Sequence, residues 1–188
     1  MKNTLRSIAA AAVLFSGVSL AAAASHGGNP MVGGAEMFPD KNIVENAVNS
    51  ADHTTLVAAV KAAGLVDTLM GAGPFTVFAP TNEAFAALPE GTVDTLLKPE
   101  NKDQLTKILT CHVVAADAMS AAIKKMVDDD GGVHPVKTVG GCMLNISYEG
   151  DKVMVTDENG GVANVTIADV DQSNGVIHVI DKVLLPKS

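Results

Sequence analysis

Apolar residues along this chain change their period once. Up to about Val127 they recur mostly at helical spacing, and from Val133 onward they alternate with polar ones. Ile43, Val44, Ala47 and Val48 mark a short first helix for which Asp40 is a candidate cap. Leu56, Val57 and Val60 mark a second, with Asp52 or Thr54 as cap and Gly64 as terminator. Leu65 to Met70 adds a turn or two. Phe75-Thr76-Val77-Phe78, bracketed by Pro74 and Pro80, then reads as a strand. It becomes a helix within two residues: Thr81 is a good N-cap, Asn82 and Glu83 suit the first turn, and Pro89 ends it. Thr92 to Leu97 and a segment from Pro99 through Leu105, Ile108 and Leu109 are helical, Cys111 to Val114 is a short strand, and Asp117 to Val127 is helical again.

The alternating part predicts strands over Val133–Val139, Cys142–Tyr148, Lys152–Asp157, Val162–Val170 and Val176–Leu184. Glu149-Gly150-Asp151 and Asp157-Glu158-Asn159-Gly160-Gly161 are the hairpin turns. Helices first and strands mostly last argue for an α+β fold with an antiparallel sheet rather than a doubly wound one.

The amino terminus carries a different message. Residues 1–24 combine a basic start (Lys2, Arg6), an apolar run from Ile8 to about Leu20 and small residues to Ala24, which predicts a secretory signal peptide. Cleavage falls before Ser25 or one residue earlier, and no Cys directly follows the apolar run to carry a lipid anchor. A periplasmic or secreted chain with no transmembrane segment is expected. Residues 25–39 form a Gly-rich arm whose Met31, Val32, Met37 and Phe38 either dock or stay mobile, and residues 40–188 form the domain. The formal charge of −8 falls to about −10 once Lys2 and Arg6 leave, and no Arg remains. With no Trp and one Tyr as well, nucleic acid is a poor partner.

Three blocks carry a resemblance. Thr76-Val77-Phe78-Ala79-Pro80-Thr81-Asn82-Glu83-Ala84-Phe85 resembles the first signature of the fasciclin (FAS1) domain family. Asn174-Gly175-Val176-Ile177-His178-Val179-Ile180-Asp181-Lys182-Val183-Leu184-Leu185-Pro186 is similar to the second, and Ile108 to Val114 looks like the Tyr-His segment between them, with Cys111 in place of Tyr. The order is that of the family over roughly residues 42–186. The resemblance implies a β-sandwich wedge with helices packed along one side. It also implies a non-catalytic role in cell adhesion or in protein recognition in the envelope or extracellular matrix.

The candidate residues follow. His112 reads as a buried structural imidazole, lying where animal members of the family are linked with adhesion. Asp181 occupies a position where some members place an acidic adhesion residue, or else it braces a neighbouring turn. His178 shares a strand face with Val176 and Ile180. These three form the adhesion-like binding set. Cys111 and Cys142 are the only cysteines, and in an exported chain a bridge closing about 30 residues is expected over a redox pair. No catalytic motif, cofactor loop or His-x-x-x-His spacing is present. Asp128-Asp129-Asp130-Gly131-Gly132 reads as a solvated connection rather than a calcium loop. The alternative to recognition is a small-ligand or metal carrier, with Ala24-Ser25-His26 as a Cu(II) or Ni(II) site if cleavage follows Ala23.

Overall fold

The structure, a computed structural model, describes residues 29–187. The predicted signal peptide and the Ala24-Ser25-His26 site lie outside these residues. The arm opens the described chain as a small hairpin of β1 (Met31–Val32) and β2 (Ala35–Glu36), turned by Gly33 and Gly34 with φ of 58° and 75°. It docks. Val32 and Met37 are buried in the main core, and the Gly33 carbonyl accepts from Ala51 N at 3.1 Å.

Helices follow: α1 (Ile43–Ala47), α2 (Thr54–Ala63) and α3 (Val66–Leu69). The cap of α1 is Asn42, not Asp40. Asn42 Oδ1 accepts from Val44 N and Glu45 N while Glu45 returns the bond to Asn42 N, a complete capping box. Neither Asp52 nor Thr54 caps α2. Asn82, 27 residues further on, accepts from Thr55 N at 3.0 Å and from the Thr54 hydroxyl, and donates to the Ala51 carbonyl. Gly64 ends α2 in the left-handed region, as expected.

Next come β3 (Phe75–Pro80), α4 (Asn82–Ala86), α5 (Thr92–Leu96), α6 (Lys102–Thr110), β4 (Val113–Val114) and α7 (Ser120–Asp129). Thr81 caps α4 as predicted. The strand expected from Cys111 is only Val113–Val114, because Cys111 still belongs to the end of α6. The helix expected from Asp117 starts at Ser120, because residues 115–119 are held by the sheet, as described below. The strands β5 (Val133–Lys137), β6 (Met143–Glu149), β7 (Lys152–Thr156), β8 (Val162–Gln172) and β9 (Gly175–Ile180) follow the alternation, except that the last ends at Ile180 and not at Leu184.

The seven strands are ordered β4-β3-β9-β8-β7-β6-β5. All neighbours are antiparallel except β3 and β9, which run parallel from Phe75–Gly175 to Pro80–Ile180. That pair departs from the expected antiparallel sheet; the long chain between the two strands permits it. The 11-residue β8 belongs to both halves of a folded sheet, with β7 on one side of its first turn and β9 along the rest. The halves form a wedge. Val139 N donates to the Val113 carbonyl at 2.8 Å, and Gly140 N to the Thr110 carbonyl, so the chain between β5 and β6 closes against β4.

Two-residue alternation assigns the core. On β3 and β9, Val77, Ala79, Ile177 and Val179 pack against the helices. Phe78 and Ile180 point the other way, into the wedge with Val114, Ile123, Leu144, Ile146 and Val155. Asn46 is fully buried among the apolar helices. It exchanges hydrogen bonds with Phe38 N and O and donates to Gln172 Oε1, tying arm, helix and sheet together.

Cys111 and Cys142 are bridged, with Cα atoms 5.4 Å apart. Neither lies in a strand as expected; the bridge joins the end of α6 to the residue before β6, at the point where the sheet closes. In the chain-entropy model a loop of 31 residues contributes about 3–4 kcal/mol. The Cys111→Ala/Cys142→Ala protein is therefore expected to lose about that much in urea unfolding at pH 7. Two reactive thiols in the unfolded, unreduced wild-type protein would contradict the bridge.

Candidate functional site

The parallel register brings the first and last signature blocks side by side: Phe78 is opposite His178, and their rings stack with centroids 5.8 Å apart. His178 is 1% exposed. Its Nε2 donates to the Ala118 carbonyl at 2.8 Å and its Nδ1 accepts from Asp169 N at 3.2 Å. Thr76 works beside it, donating to the Ala116 carbonyl and accepting from Ala118 N. Together they fix residues 115–119 as a non-helical strap over β3 and β9.

Asp169 completes this device. It is the one non-glycine residue with positive φ among the described residues, at 57°, and it sits where the β8–β9 register shifts. Its carboxylate accepts from Ser120 N at 2.6 Å and from the Ser120 hydroxyl, so a strand residue caps α7. Reading the chain in order missed it, because a cap 49 residues away leaves no local pattern.

His112 is 2% exposed. Its Nδ1 donates to the Ile108 carbonyl at 2.8 Å, and its Nε2 accepts from Leu184 N at 2.9 Å. The last segment of the domain is thereby fastened to α6. Asp157 assists, its Oδ2 accepting from Leu185 N while Oδ1 accepts from Asn159 N and Gly161 N. Burial pushes the His112 imidazole down to about 4, and burial likewise lowers His178 and His53. His53 Nδ1 shares a hydrogen bond with Ser50 Oγ at 2.8 Å; its buried Nε2 makes no full hydrogen bond, although the Ala79 carbonyl acts on it. All three rings are thus neutral at pH 7.

Asp181 is half-buried, and of the three candidate residues it is the one that reaches solvent. Its Oδ1 accepts from Asn164 N at 2.7 Å and its Oδ2 from Asn164 Nδ2 at 2.7 Å. The acid therefore braces the strand β8 rather than a turn. It also lines a groove of about 780 Å³ bounded by α7 (Ser120, Lys124), the β6–β7 hairpin (Tyr148, Lys152) and β8 (Thr166). A smaller cleft of about 300 Å³ at α5, lined by Glu90, Thr92, Thr95 and Gln104, is also partly polar, whereas the cavities under α7 and among the first helices, about 120 Å³ and 40 Å³, are apolar. Among the described residues no three His, Cys, Asp or Glu side chains converge as a metal site, and no helix is long and apolar enough to cross a membrane.

The fold and the paired blocks define a fasciclin domain, and the family's own sequence profile, the Fasciclin domain, matches residues 51–186. The chain belongs to that family. Among its relatives, protein sll1483 of Synechocystis is 52% identical over 144 residues, covering 77% of this chain and 73% of that one. The immunogenic protein MPB70 of Mycobacterium bovis is 35% identical, covering 88% and 78%. The transforming growth factor-beta-induced protein ig-h3 of Sus scrofa is 40% identical over 70% of this chain, which spans only 17% of that longer protein. The FAS1 domain pair of the insect cell adhesion molecule Fasciclin I superposes with a TM-score of 0.69 at 19% identity, covering 77% of this chain and 51% of that one. That likeness shows the fold.

Proposed function

We propose that this is an exported binding protein, not an enzyme, which recognises another protein at the cell envelope or outside the cell and acts in adhesion. The observation that carries the reading is the open, partly polar groove at Asp181, beside which the buried His178 bonds to Ala118 and Asp169. His178 holds the neighbouring backbone in place, His112 fastens the end of the domain to α6, and Asp181 with its groove neighbours supplies the contacts. A relative lends support: a cell surface glycolipoprotein of Mycobacterium bovis is 39% identical over 65% of this chain. Export rests on the sequence of residues 1–24.

The test is a crosslinked pull-down with the chain from Ser25 as bait, against envelope extract and spent medium of the producing cells. Asp181→Ala alone mixes two effects, since it also releases Asn164. Asn164→Ala serves as its control, removing the side-chain brace and leaving the carboxylate. A saturable partner whose affinity falls tenfold or more with Asp181→Ala, and far less with Asn164→Ala, supports contact through the acid. Equal losses would make Asp181 a structural residue. A blank in both fractions would favour the small-ligand or metal carrier, which native mass spectrometry of the mature protein would reveal as a bound mass.

A further inference from the structure

We infer that the groove beside Asp181 takes an extended segment of a partner protein, which adds as a strand in the gap between β7 and β8. This rests on the recognition reading above and names how that recognition is made.

The gap is a fork in the sheet. β8 pairs with β7 at three positions only, Thr156–Val162, Val155–Ala163 and Met154–Asn164. Both strands then run on, β7 back to Lys152 and β8 forward to Gln172. Val153 with Val165 and Lys152 with Thr166 are the next positions in register, yet they stand on opposite walls of the groove instead of pairing. The cause is in β8. Its register on β9 shifts between Val165 and Ile167 and again between Ile167 and Val170, next to the positive φ of Asp169. Such bulges bend a strand and end its pairing on the other side. Asp169 is locked there by Ser120 and His178, so the fork is fixed in the fold.

Parted strands leave backbone donors and acceptors facing one another across a gap, and an extended peptide carries the matching set on both of its edges. The side chains agree. Lys124 and Lys152 share the lining with Glu149, Asp151 and Asp181, a mixture of signs that suits a peptide of mixed charge and opposes a polyanion. The groove's one aromatic ring is already engaged. Lys124 Nζ lies over Tyr148 at 5.1 Å, and the Tyr148 hydroxyl donates to the Ser120 carbonyl, so it offers a sugar or base little stacking surface.

The probe is a displayed library of random linear dodecapeptides, selected against the full chain. Selected peptides are expected to protect the amides of residues 152–154 and 165–168 from deuterium exchange. Ala168→Trp and Ala121→Trp, two exposed small residues lining the groove, should each weaken binding tenfold or more without lowering the melting temperature. Ala121 lies on the outer face of α7, so its variant keeps the test intact if Ala168→Trp fails to fold. Protection mapped elsewhere, indifference to both variants, or a library that yields no binder would overturn the proposal. So would an oligosaccharide that binds the wild type and is excluded by the same two variants. A pull-down partner that still binds both Trp variants would leave recognition standing and remove the groove; a peptide strand in the fork with no envelope partner would do the reverse.

Discussion

Gly175→Ala is expected to yield a protein that does not fold, or that loses more than about 4 kcal/mol in urea unfolding. The position has φ of 152°, and a Cβ built there lies 1.9 Å from the Phe75 carbonyl oxygen and 2.8 Å from Phe75 N and C. All three contacts are backbone, so no side chain can rotate aside. Relief would require moving β9 away from β3 at the first pair of their parallel ladder, which holds the two signature blocks in register. The neighbouring turn is equally tight: a Cβ on Gly73 would meet the Asn174 carbonyl oxygen at 2.0 Å. Gly160→Ala separates strain from clash. Gly160 also has a left-handed φ, 82°, but open space around it, so it should cost only about 1–2 kcal/mol. Similar losses at the two positions would mean that the β3–β9 junction yields more readily than its geometry indicates.

The second large effect is loss of stability in mild acid. His112 is neutral, donating to the Ile108 carbonyl and accepting from Leu184 N, and a proton on Nε2 would set a charged donor against that amide. Its pKa is about 4 folded against about 6.5 unfolded. The unfolded chain therefore binds more protons between these values, and stability rises with pH across that window. The contribution is fully present above pH 6.5, declines as the pH falls, and levels off near pH 4. A shift of that size corresponds to roughly 3 kcal/mol. His178 and His53, lowered by the same burial, act in the same direction. Urea melts from pH 7.5 to 4 should show this loss together with proton uptake on unfolding. A flat profile between pH 7 and 5 would contradict neutral, buried rings.

Much of the architecture was legible because its cause is local. Thr81 caps α4 from its own sequence neighbourhood, Gly64 ends α2 by its freedom at positive φ, and the alternation from Val133 onward marks five strands. The three signature blocks led to the family, later met by the match over residues 51–186. The apolar neighbours of His112 predict a buried structural imidazole, and the structure buries it with both nitrogens bonded. The boundaries that differ are those set by a distant partner. Asp40 and Asp52 looked like caps by proximity, whereas Asn42 has the matching Glu45, and Asn82 reaches α2 from another element. Asp117 has the pattern of a helix start, which Thr76 and His178 delay by bonding the backbone of Ala116 and Ala118.

The sequence by itself determined the order of helices and strands and the family of the domain, since periodicity, capping chemistry and turn glycines act within a few residues. Only the tertiary structure decided the parallel pairing of β3 with β9, the fork between β7 and β8, and the roles of Asp169, Asp157 and Asn82. Those polar side chains satisfy backbone N–H groups at helix starts and in the last segment, on elements 27 to 49 residues away. Such a demand exists only after the elements have packed, so nothing in the neighbouring sequence can announce it.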